Sequence, residues 1–332
     1  MRSEPREEQP EWHGQRPTRE VATHVTHERV SVNGAYLFCE RTGNGPPLVF
    51  IPQTGADRRM WHDQVIACAQ QYEMICYDLR GWGKSPRRKG VFRHAEDLTA
   101  LLDWLGIERA ALVAYWDGAG IALDLALDRP ELVAALILVE PMVDGWRPRD
   151  QVQEFNALLE SIMAAAAYHN PVRRIVGMAQ EGMSARQAFW TGAKPRQTWR
   201  RRWAVERMHA IKGGNLLHTL GVVYGWRPFD WHHLRFADET NRDRPGASYS
   251  DYKREPPVFD VLEQVRVTAP TLIVRGLPTA SIFMEQDEDL RSRLADAQIA
   301  WLADATGLPH MIWPDRFNLV VLDFLRRVYL PR

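Results

Sequence analysis

Three side chains suited to acid–base chemistry stand at or just beyond the ends of short apolar runs in this 332-residue sequence. They are His310, Glu140 and Asp117. An imidazole titrates near neutrality, so a carboxylate beside it can orient the ring and support its charged form. A histidine and a carboxylate that the fold brings together could therefore act as a general base and the acid that orients it. Asp144, four residues after Glu140, is the competing acid.

Apolar runs of strand length alternate with helical patterns along much of the chain. The strand-like runs are, in order, HERVSV, AYLFCE, LVFIP, EMICYD, AALVAY, AALILVEP, TLIVRG and IAWLAD. Between them, apolar spacing predicts helices near Met60–Gln70, in FRHAEDLTALLDWLG and GAGIALDLALDRP, near Met284–Leu294 and from Pro314 to Tyr329. This alternation, with short connections, predicts an α/β fold whose mostly parallel sheet is covered by helices on both faces.

The alternation stops between residues 142 and 257, a segment rich in Trp, Arg and His that has no comparable apolar run. We interpret it as an inserted helical cap. The core then comprises residues 24–141 and 258–332. Residues 1–23 are charged and contain three prolines, so we interpret them as an N-terminal arm.

Three local patterns carry a family resemblance. DLRGWGKS (Asp78–Ser85) follows the fourth run, LVAYWDGAGIAL spans the fifth run and the next helix, and LPHMIWPDRFNLVVLDFL follows the last run. They resemble the D-x-R-G-x-G-x-S loop, the nucleophile turn and the histidine loop of the α/β-hydrolase fold superfamily. The resemblance covers about residues 25–141 and 258–330. It is nearest in pattern to haloalkane dehalogenases, epoxide hydrolases and cofactor-free dioxygenases.

The family's nucleophile turn reads small-x-nucleophile-x-small, because its strained backbone leaves no room for side chains at the flanking positions. Here the turn reads Ala114-Tyr115-Trp116-Asp117-Gly118. The resemblance therefore places Trp116 in the nucleophile position. Indole has no oxygen or sulfur that could attack a carbonyl, so a Ser–His acyl-enzyme route is closed there.

Two more positions differ from the family pattern. Pro52-Gln53 replaces the His-Gly turn after the third strand, and Thr279 stands where the acid after the seventh strand is expected. Part of the superfamily draws its acid from the end of the sixth strand instead. That place belongs to Glu140, and the chain order of turn, acid and histidine is kept. The resemblance thus implies that His310, at the family's position for the base, is a general base that Glu140 orients.

The remaining candidates surround the same turn. We expect substrate contacts from Trp116, Tyr115, Gln53, Thr54, Trp61 and Trp313. Trp116 could stack on a flat substrate or simply fill the pocket. Backbone N–H groups near Thr54 and at Asp117 could bind an anionic oxygen. Asp117 itself is either a helix cap, a nucleophile or a second base.

Three functions remain open. The leading one is a cofactor-independent lyase, cyclase or oxygenase, in which His310 removes a proton from a hydrophobic or aromatic small molecule. The second is a hydrolase in which His310 activates water or Asp117 forms an ester intermediate. The third is a ligand-binding pseudohydrolase without catalysis.

Composition narrows the partners. Lys+Arg and Asp+Glu both number 42, which favours neither nucleic acid nor an anionic membrane. The basic stretch Lys194–Arg207 is interpreted as a solvated helix face, with the binding of an anionic substrate group as the alternative. His232-His233 lacks metal-site spacing. We expect a small-molecule substrate, no metal or cofactor, no membrane segment and a possible homodimer. Because the three cysteines fit no disulfide framework, we expect a cytoplasmic location.

Overall fold

The computed structural model describes residues 25–86, 91–147, 254–277, 279, 281–303, 305 and 307–330. The N-terminal arm and nearly all of the cap lie outside these residues. So do the basic stretch Lys194–Arg207 and the pair His232-His233. The cap interpretation and the dimer therefore stay predictions. No helix among the described residues is long and apolar enough to span a membrane.

Eight strands form one sheet. They are β1 (Thr26–Val32), β2 (Ala35–Thr42), β3 (Pro47–Ile51), β4 (Glu73–Tyr77), β5 (Ala110–Tyr115), β6 (Val133–Val139), β7 (Thr271–Gly276) and β8 (Ala297–Leu302). Their order across the sheet is β1-β2-β4-β3-β5-β6-β7-β8. β1 and β2 are antiparallel to their neighbours, whereas β4, β3, β5, β6, β7 and β8 are mutually parallel. Each strand overlaps one of the apolar runs, and the predicted fold class is confirmed.

Alternate residues of the central strands enter two separate apolar clusters. On β5, Leu112 and Ala114 belong to one cluster, and Ala111 and Val113 belong to the other. Since successive side chains of a strand point to opposite faces, the sheet is buried on both sides. This burial explains why the strands read as continuous apolar runs rather than as alternating patterns.

Seven α-helices lie among the described residues. They are α1 (His62–Cys68), α2 (His94–Leu105), α3 (Gly118–Asp128), α4 (Val258–Leu262), α5 (Ser281–Arg293), α6 (Pro309–Ile312) and α7 (Pro314–Val328). The helix predicted over Met60–Gln70 is shorter than expected, because a 3-10 turn over Arg58–Trp61 precedes α1. The short α6 was not predicted, and it carries His310.

The sheet brings the candidate residues together because parallel strands place their carboxyl ends at one edge. Asp117 follows β5, Glu140 follows β6, and Arg275 is the penultimate residue of β7. His310 comes after β8, and Thr54 lies just beyond β3. The residues predicted to act together therefore come from four strand ends at the same edge, and Arg275 of β7 joins them there.

Candidate active site

The turn between β5 and α3 has the backbone of a nucleophile turn. Trp116 has φ +57°, in the left-handed region that L-residues other than glycine rarely adopt. Its N–H donates to Val139 O at 3.0 Å, and its carbonyl accepts from Ala119 N and Met142 N, both at 3.1 Å. These bonds hold the residue in its strained conformation. A left-handed residue directly after β5 is compatible with the turn that the resemblance implies, and the assignment of Trp116 to the nucleophile position stays a prediction.

Gly118 shows the steric demand of the same turn. A Cβ atom at this position would lie 2.7 Å from Pro52 O and 3.1 Å from Ile51 O. The helix therefore begins in backbone contact with the end of β3. Only a residue without a side chain fits there, as the family pattern implies.

Replacing Gly118 by alanine is expected to lower the free energy of unfolding by about 1–3 kcal/mol, since two backbone carbonyls must move to admit one methyl group. Chemical denaturation measures this loss. Gly106→Ala is the matched control. A Cβ at Gly106 meets nothing within 4 Å, and only the positive φ of +69° opposes it. A loss at Gly118 no larger than at Gly106 would contradict a contact-limited turn.

The Trp116 side chain lies in an aromatic group above the sheet edge. Its exposed fraction is 7%. Its ring centroid lies 6.1 Å from that of Phe283 in an edge-on arrangement, and 6.3 Å from that of Tyr115. The indole is therefore packed on at least two sides. Stacking on a substrate stays a prediction.

His310 stands in the first turn of α6 with an exposed fraction of 0%. Its ring centroid lies 4.6 Å from that of Trp61 and 4.8 Å from that of Tyr115. Two side chains fix the loop that carries it. The Gln64 Nε2 group donates to His310 O at 2.7 Å, and the Tyr115 hydroxyl donates to Gly307 O at 2.7 Å.

Gln64 was missed from the sequence. It reads as an ordinary polar residue of a short amphipathic helix, and its partner is 246 positions away. Only its burial, with an exposed fraction of 1%, marks it. A buried amide must find hydrogen-bond partners, and here one of them is the carbonyl of the candidate base.

Asp117 is bonded to Thr54. Its Oδ1 atom accepts the Thr54 backbone N–H at 3.0 Å, and its Oδ2 atom accepts the Thr54 hydroxyl in a very short hydrogen bond. Burial is the largest influence on its pKa and raises it to about 6, whereas the Thr54 hydrogen bonds lower it. We expected the Thr54 backbone N–H to donate to an anionic oxygen of a substrate. It already donates to the Asp117 carboxylate.

This burial predicts a pH-dependent effect of Asp117→Asn. The folded chain keeps a proton on Asp117 up to about pH 6, whereas the unfolded chain releases it near pH 3.9. Because the folded state then binds more protons, its stability falls as pH rises through this window. Above this pH window, the free-energy cost of ionising Asp117 in the folded chain reaches its full value, on the order of 3 kcal/mol. The asparagine Oδ1 atom can still accept from Thr54 N.

We therefore expect Asp117→Asn to be more stable than the parent chain at pH 8, and to lose this advantage as the pH falls to 4. Urea denaturation of both chains at pH 4, 6 and 8 measures the difference. Other titrating groups are common to both chains and cancel. A difference that does not change with pH would show that ionisation of Asp117 carries no folding cost.

Glu140 lies in a buried ion network. Its φ is +49°. Its Oε2 atom accepts from Arg275 Nη1 at 2.7 Å, and its Oε1 atom accepts from Gly276 N at 2.6 Å. Arg275 also donates twice to Asp287, at 2.7 Å each. Burial raises the pKa of Glu140 above its ordinary value, and Arg275 offsets part of that rise.

These contacts bear on the role that was predicted for Glu140. Both of its carboxylate oxygens are engaged at the end of β7. Its proposed role in orienting His310 stays a prediction, because the hydrogen bonds given for the carboxylate are with Arg275 and Gly276. Arg275 was also missed from the sequence. An arginine within an apolar run was its signal, since a buried guanidinium needs carboxylate partners.

The other candidates are placed as follows. Gln53 is 2% exposed and its carbonyl accepts from Ala56 N at 3.2 Å. Trp61 is fully buried between Phe50 and His310, which supports packing behind the base. Trp313 is partly buried, with the Arg316 guanidinium 4.4 Å above its ring. Thr279 is partly buried beyond β7.

Comparisons with known proteins agree with this geometry. A family model described as "alpha/beta hydrolase fold" matches residues 46–164. A thermophilic esterase from Thermogutta terrifontis superposes on 92% of this chain and 100% of its own, with a TM-score of 0.62 and 20% identity. A Vigna radiata epoxide hydrolase mutant superposes on 91% and 99%, with a TM-score of 0.62 and 16% identity.

The chain has the fold of the α/β-hydrolase superfamily, and its residues 46–164 match the family model of that fold. Within that superfamily, a curated relative from Azorhizobium caulinodans named "Putative carbamate hydrolase RutD" is 33% identical over 119 residues. The alignment covers 35% of this chain and 43% of the relative. The chain thus spans less than half the length of this relative. Esterase, epoxide hydrolase and carbamate hydrolase are what these α/β-hydrolases are called, and they share the fold with this chain.

Proposed function

We propose that this protein is an enzyme that removes a proton from a hydrophobic, flat small molecule without forming a covalent intermediate. His310 is the general base, and Trp116 and Tyr115 shape the apolar surface beside it. The reaction class is a lyase, cyclase or oxygenase that needs no cofactor. The superfamily fold supports an enzyme, and the residues at the turn decide its chemistry.

The observation that carries the proposal is the backbone of Trp116. Its φ of +57°, with Gly118 pressed against Pro52 O, supports the assignment of this turn as the one that presents a nucleophile in this fold. An indole at this position offers no attacking atom, while His310 remains on the loop after β8. A base without a nucleophile can still move protons.

A pair of general probes tests this proposal. 5-Nitrobenzisoxazole is flat and aromatic, and its ring opens when a base removes its one ring C–H proton beside nitrogen. p-Nitrophenyl acetate reports acyl transfer instead. We expect saturable elimination of the first and no burst of nitrophenolate from the second. A stoichiometric burst, or elimination no faster than with free imidazole, would contradict the proposal.

Hydrolysis is the second candidate, and the names of the relatives favour it. In this case His310 activates water, or Asp117 attacks the substrate. The two routes separate by single turnover of an epoxide or ester in heavy-oxygen water. Label in Asp117 supports the covalent route, and label in the product alone supports water activation. Against the covalent route, both Asp117 oxygens already accept hydrogen bonds from Thr54.

A non-catalytic binding protein is the third candidate. The burial of His310 and the 7% exposure of Trp116 support it. This candidate predicts no turnover of 5-nitrobenzisoxazole, whether or not the probe binds. The elimination assay therefore distinguishes this candidate from the first.

A further inference from the structure

The Asp117–Thr54 pair has a meaning beyond the proton transfer proposed for His310. In this fold an oxyanion is bound by two backbone N–H groups. One belongs to the residue after the nucleophile, and the other belongs to the loop after β3. Here these two residues are Asp117 and Thr54, and they are bonded to each other through the Asp117 side chain.

The carboxylate takes the place of a bound anion. It receives the Thr54 backbone N–H and the Thr54 hydroxyl. The backbone N–H groups of Asp117 and Gly118 also favour its charged form. One backbone N–H and one hydroxyl, both of Thr54, thus bond one buried carboxylate at the start of α3. Such a set of donors suits an oxyanion of a ligand equally well.

We propose that Asp117 fills the oxyanion-binding position of this fold from within the chain and thereby keeps anionic groups of ligands and intermediates out of that position. The inference deepens the proposed function by naming the charge class of its substrate. The group that faces Asp117 must be uncharged or cationic, with an N–H or O–H to donate. A carboxylate or tetrahedral oxyanion would meet a like charge at short range and find the Thr54 N–H taken.

Neighbouring buried charges do not reverse this selection. Arg275, the buried cation at the end of β7, is already paired with Glu140 and Asp287. Two carboxylates and one guanidinium leave this network with a net negative formal charge. This network therefore supplies no net positive charge that would attract an anion.

Removing the carboxylate should uncover the donors. We expect Asp117→Ala to bind formate, a small carboxylate that fits the vacated place. Its thermal midpoint should then rise by about 3 °C at saturation, relative to the same concentration of chloride. The parent chain should show no difference between the two salts. This measurement needs no turnover, so its failure and failure of the proposed catalysis are distinguishable.

Two matched variants sharpen the test. Asp117→Asn keeps an acceptor for the Thr54 backbone N–H, so its thermal midpoint should not respond to formate. Asp117→Ala/Thr54→Val lacks the hydroxyl donor and should bind formate more weakly than Asp117→Ala does. If the alanine variant does not fold, Asp117→Gly supplies the same vacancy at the start of α3. A folded vacancy variant with no formate-specific shift would overturn the proposal, as would an equal shift in the parent chain.

Discussion

Replacing His310 by glutamine is expected to lower the rate of 5-nitrobenzisoxazole elimination by about two to four orders of magnitude, the range that one general base contributes. Glutamine fills much of the same volume between Trp61 and Tyr115, so a folding defect should be small. The assay compares kcat/KM of both chains with circular dichroism as a check on folding. His310→Ala should lose as much activity.

His62 provides the matched control for this experiment. It is an exposed histidine at the first position of α1, and His62→Gln should keep the parent rate. Equal rates for His310→Gln and the parent would remove His310 from the chemistry. A variant that still binds the probe but does not turn it over would separate catalysis from binding.

Replacing Arg275 by methionine is expected to have the largest effect on stability, a loss of about 3–5 kcal/mol near pH 8. The guanidinium is fully buried and bonds Glu140 and Asp287. Without it, two carboxylates remain buried without their cation. Urea or guanidinium denaturation measures the loss, provided that the variant folds.

The pH dependence of Arg275→Met identifies the cause. Loss of the cation raises the pKa of both buried carboxylates further, so the folded variant takes up protons as pH falls, and the deficit should shrink at pH 5. Adding Glu140→Gln and Asp287→Asn should restore part of the stability at pH 8. The exposed Arg291–Glu288 pair is the control, and Arg291→Met should cost less than about 1 kcal/mol. Equal losses at the two arginines would contradict the buried-ion account.

The strands were predictable because the sheet is buried on both faces. The central strands therefore contain few polar residues, and most of their limits adjoin Gly, Pro or charged residues. The hairpin between β1 and β2 was predictable for a different reason: Asn33 and Gly34 both adopt positive φ, which the Asn-Gly pair tolerates. By contrast, α1 is short because a 3-10 turn takes its first residues, and apolar spacing does not separate these two helices.

The site was predictable as a set of positions but not as a set of contacts. Strand order brings Asp117, Glu140 and His310 to one edge, yet it does not fix where each side chain turns. Glu140 turns to Arg275, a residue 135 positions away that reads as part of an apolar run. Asp117 turns to Thr54, 63 positions away. Pairing between polar residues that are distant in sequence depends on the three-dimensional fold, and the periodicity of apolar residues does not predict it.

The left-handed backbone at Trp116 has a consequence for engineering. An L-residue in this conformation costs about 1–2 kcal/mol, and the surrounding hydrogen bonds already meet that cost. A serine introduced at position 116 would inherit a bend built to display an attacking oxygen. The Asp117 carboxylate would still accept the Thr54 hydrogen bonds that the oxyanion of an acyl-transfer intermediate requires. Conversion of this scaffold into a working esterase therefore calls for two adjacent substitutions, and the second is the one that empties the anion position.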